Sequence, residues 1–153
     1  MKKIKFLAVT AALLFSLNAV AQEKQDVSKP FHGAIAVKKI YKVVYQLNTE
    51  DDKKIVATLK NINNALQDPR LKGKLKVELV VHGGGVVAFK KDSAYEQQLL
   101  ELQKKGVLLA QCENTLKERN IGKDELYSFI SFVPSGNGEL IIRQSEGWAI
   151  LHP

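Results

Sequence analysis

One cysteine, three histidines and a glycine triplet are the residues whose types and placement suit chemistry. Cys112 follows the apolar run Val107-Leu108-Leu109-Ala110 and precedes a stretch that Asn114 or Thr115 can start as a helix. The free N–H groups and positive end of a helix stabilise a thiolate, the nucleophilic and sulfur-accepting form of cysteine. Free cysteine is also among the most buried residue types, so the same position suits an inert small hydrophobe. A lone cysteine makes no internal disulfide; in an oxidising compartment it is buried, paired between chains, or reactive.

Two further segments join it. His82-Gly83-Gly84-Gly85 ends the apolar run Leu75–Val81, and Pro134-Ser135-Gly136 ends Ile130–Val133. Ligands of open parallel sheets bind beyond the carboxyl ends of the strands, which would gather all three segments at one edge. Gly83, Gly84 and Gly85 let the backbone approach a ligand, and their N–H groups suit an anion nest. The other reading of the triplet is a connection that makes room for a neighbouring subunit. His82 is a candidate proton donor or thiolate partner, or else a structural histidine at a strand end. Asn114 and Ser135 are candidate ligand contacts, although Ser135 and Asn137 are turn formers first. Trp148 suits the core or an interface better than a ligand platform.

Several chemistries drop out. The histidines and Cys112 lack metal-ligand spacing, so no metal is expected. The glycine triplet is neither G-x-G-x-x-G nor followed by a Walker lysine, and no cofactor fingerprint is present. His-Gly-Gly-Gly is similar to an esterase oxyanion loop, but the G-x-S-x-G elbow that such chemistry needs is missing.

The elements that must position these residues follow from periodicity. Strands are expected at 40–47, 75–81, 107–110, 130–133 and 148–151. Between them, Asn48-Thr49 would cap a helix with Ile55, Leu59, Ile62 and Leu66 inward, ended by Pro69 and Gly73. Asp92 or Ser93 would cap a second helix, with Tyr95, Leu99 and Leu102 on one side and Gly106 closing it. A third begins at Asn114 or Thr115 and stops at Asn120 to Gly122. A fourth covers 139–146, with Leu140 and Ile141 facing in and Gly147 breaking it. Alternating strands and helices imply βαβ crossovers, a parallel sheet and a three-layer α/β/α sandwich.

Residues 1–21 read as a signal peptide. Three lysines precede an apolar run of about a dozen residues, too short to span a bilayer, and Ala19-Val20-Ala21 is a small-x-small cleavage site. The chain is therefore expected to be exported to the periplasm, with no stable membrane insertion. Residues 22–37, polar with Pro30 and Gly33, read as a tether, and 38–153 as a single domain. Three of the 23 basic residues lie in 1–21, which hold no acid, so the rest carries +4 against +7 for the whole chain. That excess forms no basic block, and nucleic acid is not an expected partner.

The chain resembles the DsrE/DsrF-like family. The resemblance rests on Val80-Val81-His82-Gly83-Gly84-Gly85, on Lys105-Gly106-Val107 through Ala110-Gln111-Cys112-Glu113-Asn114-Thr115-Leu116, on Phe132-Val133-Pro134-Ser135-Gly136, and on Arg143-Gln144-Ser145-Glu146-Gly147-Trp148-Ala149. It implies a mainly parallel five-stranded sheet between helices, assembled as a homo-oligomer, a trimer or hexamer. It also implies sulfur transfer, with Cys112 where that family's persulfide-carrying cysteine commonly lies and a thiol or sulfur-donor protein as partner. The better-known sulfur carriers of the family are cytoplasmic, whereas this chain carries an export signal. Three functions follow as expectations: sulfur handling on Cys112, a non-catalytic module binding a small anion or metabolite, and an oligomeric structural subunit.

Overall fold

The computed structural model describes residues 30–153, so the signal peptide read at 1–21 and residues 22–29 of the tether lie outside it. Residues 30–37 hold no helix or strand, and the compact unit of interest is Ile35–Pro153. Its elements are β1 (Tyr41–Leu47), α1 (Asp52–Gln67), β2 (Leu75–Val81), α2 (Glu96–Lys104), β3 (Leu108–Cys112), α3 (Glu113–Arg119), β4 (Ser131–Val133), α4 (Gly136–Ser145) and β5 (Ala149–Leu151). A 3₁₀ segment, Gly83–Phe89, follows β2. Every strand pairing is parallel and the sheet order is β4-β3-β2-β1-β5. The alternation of strands with helices thus produces the expected α/β fold.

Strand residues alternate between two unequal faces. Val43, Tyr45, Leu47, Val77, Leu79, Val81 and Leu109 point into the larger core, where Ile55, Leu59 and Ile62 of α1 and Leu99 and Leu102 of α2 meet them. Val44, Val80 and Ala110 point the other way, into a small cluster with Trp148 and half-buried Leu140, Val133 and Ile150. That second face also takes Glu78, which is 2% exposed. Arg143 of α4 reaches it with Nε, 2.6 Å from Glu78 Oε2, and stacks its guanidinium 4.6 Å from the Trp148 ring. A buried carboxylate without such a partner would be strongly destabilising.

Four local expectations are corrected. Asp51, not Asn48 or Thr49, caps α1, its carboxylate accepting the Lys54 N–H at 3.2 Å. Neither Asp92 nor Ser93 starts α2, which begins at Glu96 after Tyr95; the chain first closes the 3₁₀ segment and a turn. Helix α3 begins directly after Cys112, so the cysteine itself occupies the cap position. Helix α4 begins three residues before the expected start at Glu139, at Gly136, because the Ser135 hydroxyl accepts the Gly138 N–H at 3.2 Å. That earlier start leaves Leu140 facing the sheet and turns Ile141 outward, where it is 69% exposed. Among the described residues no helix is long and apolar enough to cross a membrane.

Candidate functional site

Strand pairing decides what lies beside the thiol. Val81 of β2 is in register with Gln111 of β3, so the next residues along, His82 and Cys112, stand side by side at the carboxyl edge. Cys112 also pairs with Val133, which brings the β4–α4 turn against it from the other side. These three strand ends enclose a cavity of about 170 Å³ lined by Cys112, His82, Gly83, Asn114, Thr115, Glu118, Ser135, Gly136 and Asn137. A larger groove of about 310 Å³ between α1 and α2, lined by Lys60, Asn63, Glu101 and Lys105, holds neither a thiol nor a histidine.

The thiol is only 5% exposed, yet its surroundings are polar. Burial is the largest single influence on it and pushes its pKa up. Against that, the Gly136 N–H, the Thr115 hydroxyl and the N–H groups of Thr115 and Asn114 face the sulfur and favour its anion, and together they leave it below the ordinary thiol value. Hydrogen bonds to the charged form favour that form, which is the physical reason the donors win over burial. The donors come from the beginnings of two helices, α3 and α4, whose first N–H groups have no partner within the helix.

Thr115 is tied in twice. Its Oγ1 accepts the Gly83 N–H at 2.9 Å, and its hydroxyl is one of the groups that favour the Cys112 thiolate. The glycine after β2 is thereby connected to the Cys112 region through one side chain. Gly83 needs its glycine, with φ of +53°. Gly85 needs its own for space, because a Cβ there would lie 2.4 Å from the Leu47 carbonyl oxygen.

The expected anion nest of the triplet is not formed. Gly83 donates to Thr115, Gly84 to the Asn48 carbonyl at 3.1 Å and Gly85 to the His82 carbonyl at 3.0 Å. All three N–H groups are committed to the protein. Gly83 lines the cavity, whereas Gly84 and Gly85 pack against the end of β1.

His82 is positioned from behind. The Gln46 amide nitrogen lies 2.8 Å from its Nε2, so with that amide donating, the ring proton sits on Nδ1. Burial, and secondly the charge of His152, hold its pKa below the ordinary histidine value. The ring lies close to Gly136, where a Cβ would come within 3.1 Å of His82 Cβ. His82 is not among the groups that lower the Cys112 pKa; the donors named above do that.

Sequence reasoning therefore brought together Cys112, His82, Gly83, Asn114 and Ser135, with Gly136 in the same strand-end segment, and missed Thr115, Glu118 and Asn137 as wall residues. Spacing on α3 could have found Glu118, since Thr115 and Glu118 are three apart and share a helix face. Among the described residues no group of three or more His, Cys, Asp or Glu is placed to hold a metal ion.

A family model described as the DsrE/DsrF-like family matches residues 27–153. Among solved structures, MTH1491 from Methanobacterium thermoautotrophicum, a protein of unknown function, is similar at 31% identity and a TM-score of 0.69, over 74% of this chain and 99% of that one. BT1422 from Bacteroides thetaiotaomicron, a conserved protein of unknown function, shares 16% identity with a TM-score of 0.59, over 79% and 100%. The ychN protein from E. coli shares 14% identity with a TM-score of 0.57, over 76% and 100%. These last two show the fold alone. No curated protein matches the chain.

Proposed function

Since the chain belongs to the DsrE/DsrF-like family, we propose that it handles sulfane sulfur on Cys112, taking one sulfur atom from a donor and passing it to another thiol. The observation that carries this reading is the placement of the sulfur at the wall of a cavity that Asn114, Thr115 and Gly136 also line, three residues whose N–H groups, with the Thr115 hydroxyl, favour its anion. Such donors keep a thiolate available at a pH where an ordinary thiol is mostly protonated.

In the transfer, the Cys112 thiolate attacks the outer sulfur of a donor persulfide. A new Sγ–S bond forms, the donor's S–S bond breaks, and its electron pair leaves with the donor as a thiolate. The exchange is redox-neutral across the pair, and the reverse attack by an acceptor thiol unloads Cys112. The donors that stabilise the thiolate also hold Sγ in position through the exchange. His82, held toward its neutral form, supplies polarity to the cavity rather than a counter-charge.

Incubation with a sulfane-sulfur donor followed by intact mass spectrometry tests the reading. The expected result is one added sulfur on the wild-type chain and none on Cys112→Ser. An unmodified wild-type chain contradicts it. The low exposure of the thiol favours a second reading, a binding module for a small anion or metabolite in which Cys112 only lines the wall. In that case Cys112→Ala retains ligand binding.

The proposal extends to assembly and location. Ile141 and Ile142 of α4 and Leu108 of β3 are exposed apolar side chains, which supports a homo-oligomer, a trimer or hexamer, to be read by light scattering. A sulfur-donor or thiol partner protein would dock at the cavity edge. The lysines, apolar run and Ala-x-Ala of residues 1–21 support export to the periplasm. A chain recovered from that compartment should begin near Gln22.

A further inference from the structure

The charges around the cavity narrow the donor. Of the residues lining it, Glu118 alone carries an acid side chain, and no lysine or arginine lines it. Glu118 lies exposed on α3, one turn beyond Thr115, and makes no ion pair among the described residues. Its neighbour Lys117 lines a different groove, with Glu113 and Lys123. Asn114, Ser135 and Asn137 are uncharged, and so are the glycines. A reagent approaching Cys112 therefore meets one carboxylate and the thiolate with no cation of the wall to offset them.

Resting on the sulfur-handling reading, we infer that Glu118 is a specificity-determining residue that turns small anions away from Cys112 and favours sulfur donors that are uncharged or cationic around the transferred atom. A free dianion such as thiosulfate is the disfavoured class. Like charges brought together at a partly enclosed site repel, and the repulsion falls as salt screens it. Glu118 needs no contact with the reacting sulfur to act this way.

Alkylation of the intact chain tests the inference without any sulfur donor. Cys112 is the one cysteine of the sequence, so mass spectrometry reads it with no competing thiol. In both iodoacetamide and iodoacetate the thiolate sulfur bonds to the methylene carbon and iodide leaves to solvent; the two differ in one carboxylate. The quantity to follow is the ratio of their rates. A change in thiolate fraction multiplies both rates alike and cancels. Glu118→Gln should raise the iodoacetate rate roughly threefold relative to iodoacetamide, the size expected of one exposed charge. Glu118→Lys should raise it further, and added salt should shrink the wild-type discrimination.

A ratio unchanged by both substitutions overturns the charge filter and leaves the transfer reading standing. A thiol that takes neither reagent at any pH overturns both, because nothing then reaches the sulfur. If Glu118→Gln gains alkylation by iodoacetate but still takes sulfur from no donor, the filter holds and the transfer reading fails.

Discussion

Two titratable groups are buried on the same face of the sheet, and their environments push them in opposite senses. Burial is the largest influence on both Cys112 and Glu78, and raises both. Around Cys112 four neutral donors outweigh it, and the thiol ends below its ordinary value. Around Glu78 a full positive charge fails to do so, and the carboxyl ends above its ordinary value. The difference lies in sharing. The Arg143 guanidinium serves Glu78 at 2.6 Å, Glu139 at 2.9 Å and Glu146 at 3.3 Å, and the two other carboxylates themselves raise Glu78. The Gly136, Thr115 and Asn114 donors face a single sulfur with no competing anion in the set. Several modest hydrogen bonds aimed at one atom can do more than one charge divided among three.

Removing Arg143 should have the largest effect. Arg143→Met leaves Glu78 without its partner and is expected to destabilise the fold by about 3 kcal/mol at pH 8 in urea melts, as for other broken buried pairs. The loss should shrink at low pH, where Glu78 is protonated and needs no cation. Glu78→Gln sharpens the point. A carboxyl whose folded pKa is raised contributes stability below the unfolded value and loses it as pH rises through the folded value. The stability of Glu78→Gln relative to wild type should therefore improve between pH 4 and pH 8. A flat difference would mean that Arg143 fully compensates the charge.

At the other region, Thr115→Val removes a donor to the sulfur and strands the Gly83 N–H. A stability loss of about 1–2 kcal/mol is expected, with the alkylation midpoint of Cys112 moving to higher pH; Thr115→Ser should restore both. Should Thr115→Val lower stability with no change in midpoint, the hydroxyl is structural only. Gly136→Ala should show the smallest effect. Its Cβ would crowd His82 at 3.1 Å, and a shift of a few tenths of an ångström relieves that. A small rise in the midpoint is expected, from displacement of the Gly136 N–H, with a loss of about 1 kcal/mol or less.

The thiol region was the more legible of the two in the sequence, and the reason is local. The apolar runs ending at Val81 and Cys112 mark strand ends without knowledge of any distant residue, and parallel pairing then brings those ends together. Cys112 and His82 are neighbours for that reason alone. Thr115 was quoted only as a helix start, because a threonine after a cysteine gives no sign that its hydroxyl will face both the sulfur and Gly83. Glu78 was hidden altogether. An acid inside an alternating strand reads as a solvent-facing residue, and only Arg143, 65 positions later, explains its burial. The same helix escaped correct phasing because Leu140-Ile141-Ile142 is continuously apolar and sets no inward side. Ser135 and Gly136 set it instead, by fixing where α4 begins.

The direct measurement is the rate of iodoacetamide alkylation of Cys112 in the intact protein as a function of pH. Donors that outweigh burial predict a half-maximal rate below that of an unperturbed thiol, about pH 8.5, with a return toward that value in Thr115→Val. A midpoint at or above the unperturbed value, unmoved by that substitution, would contradict the account.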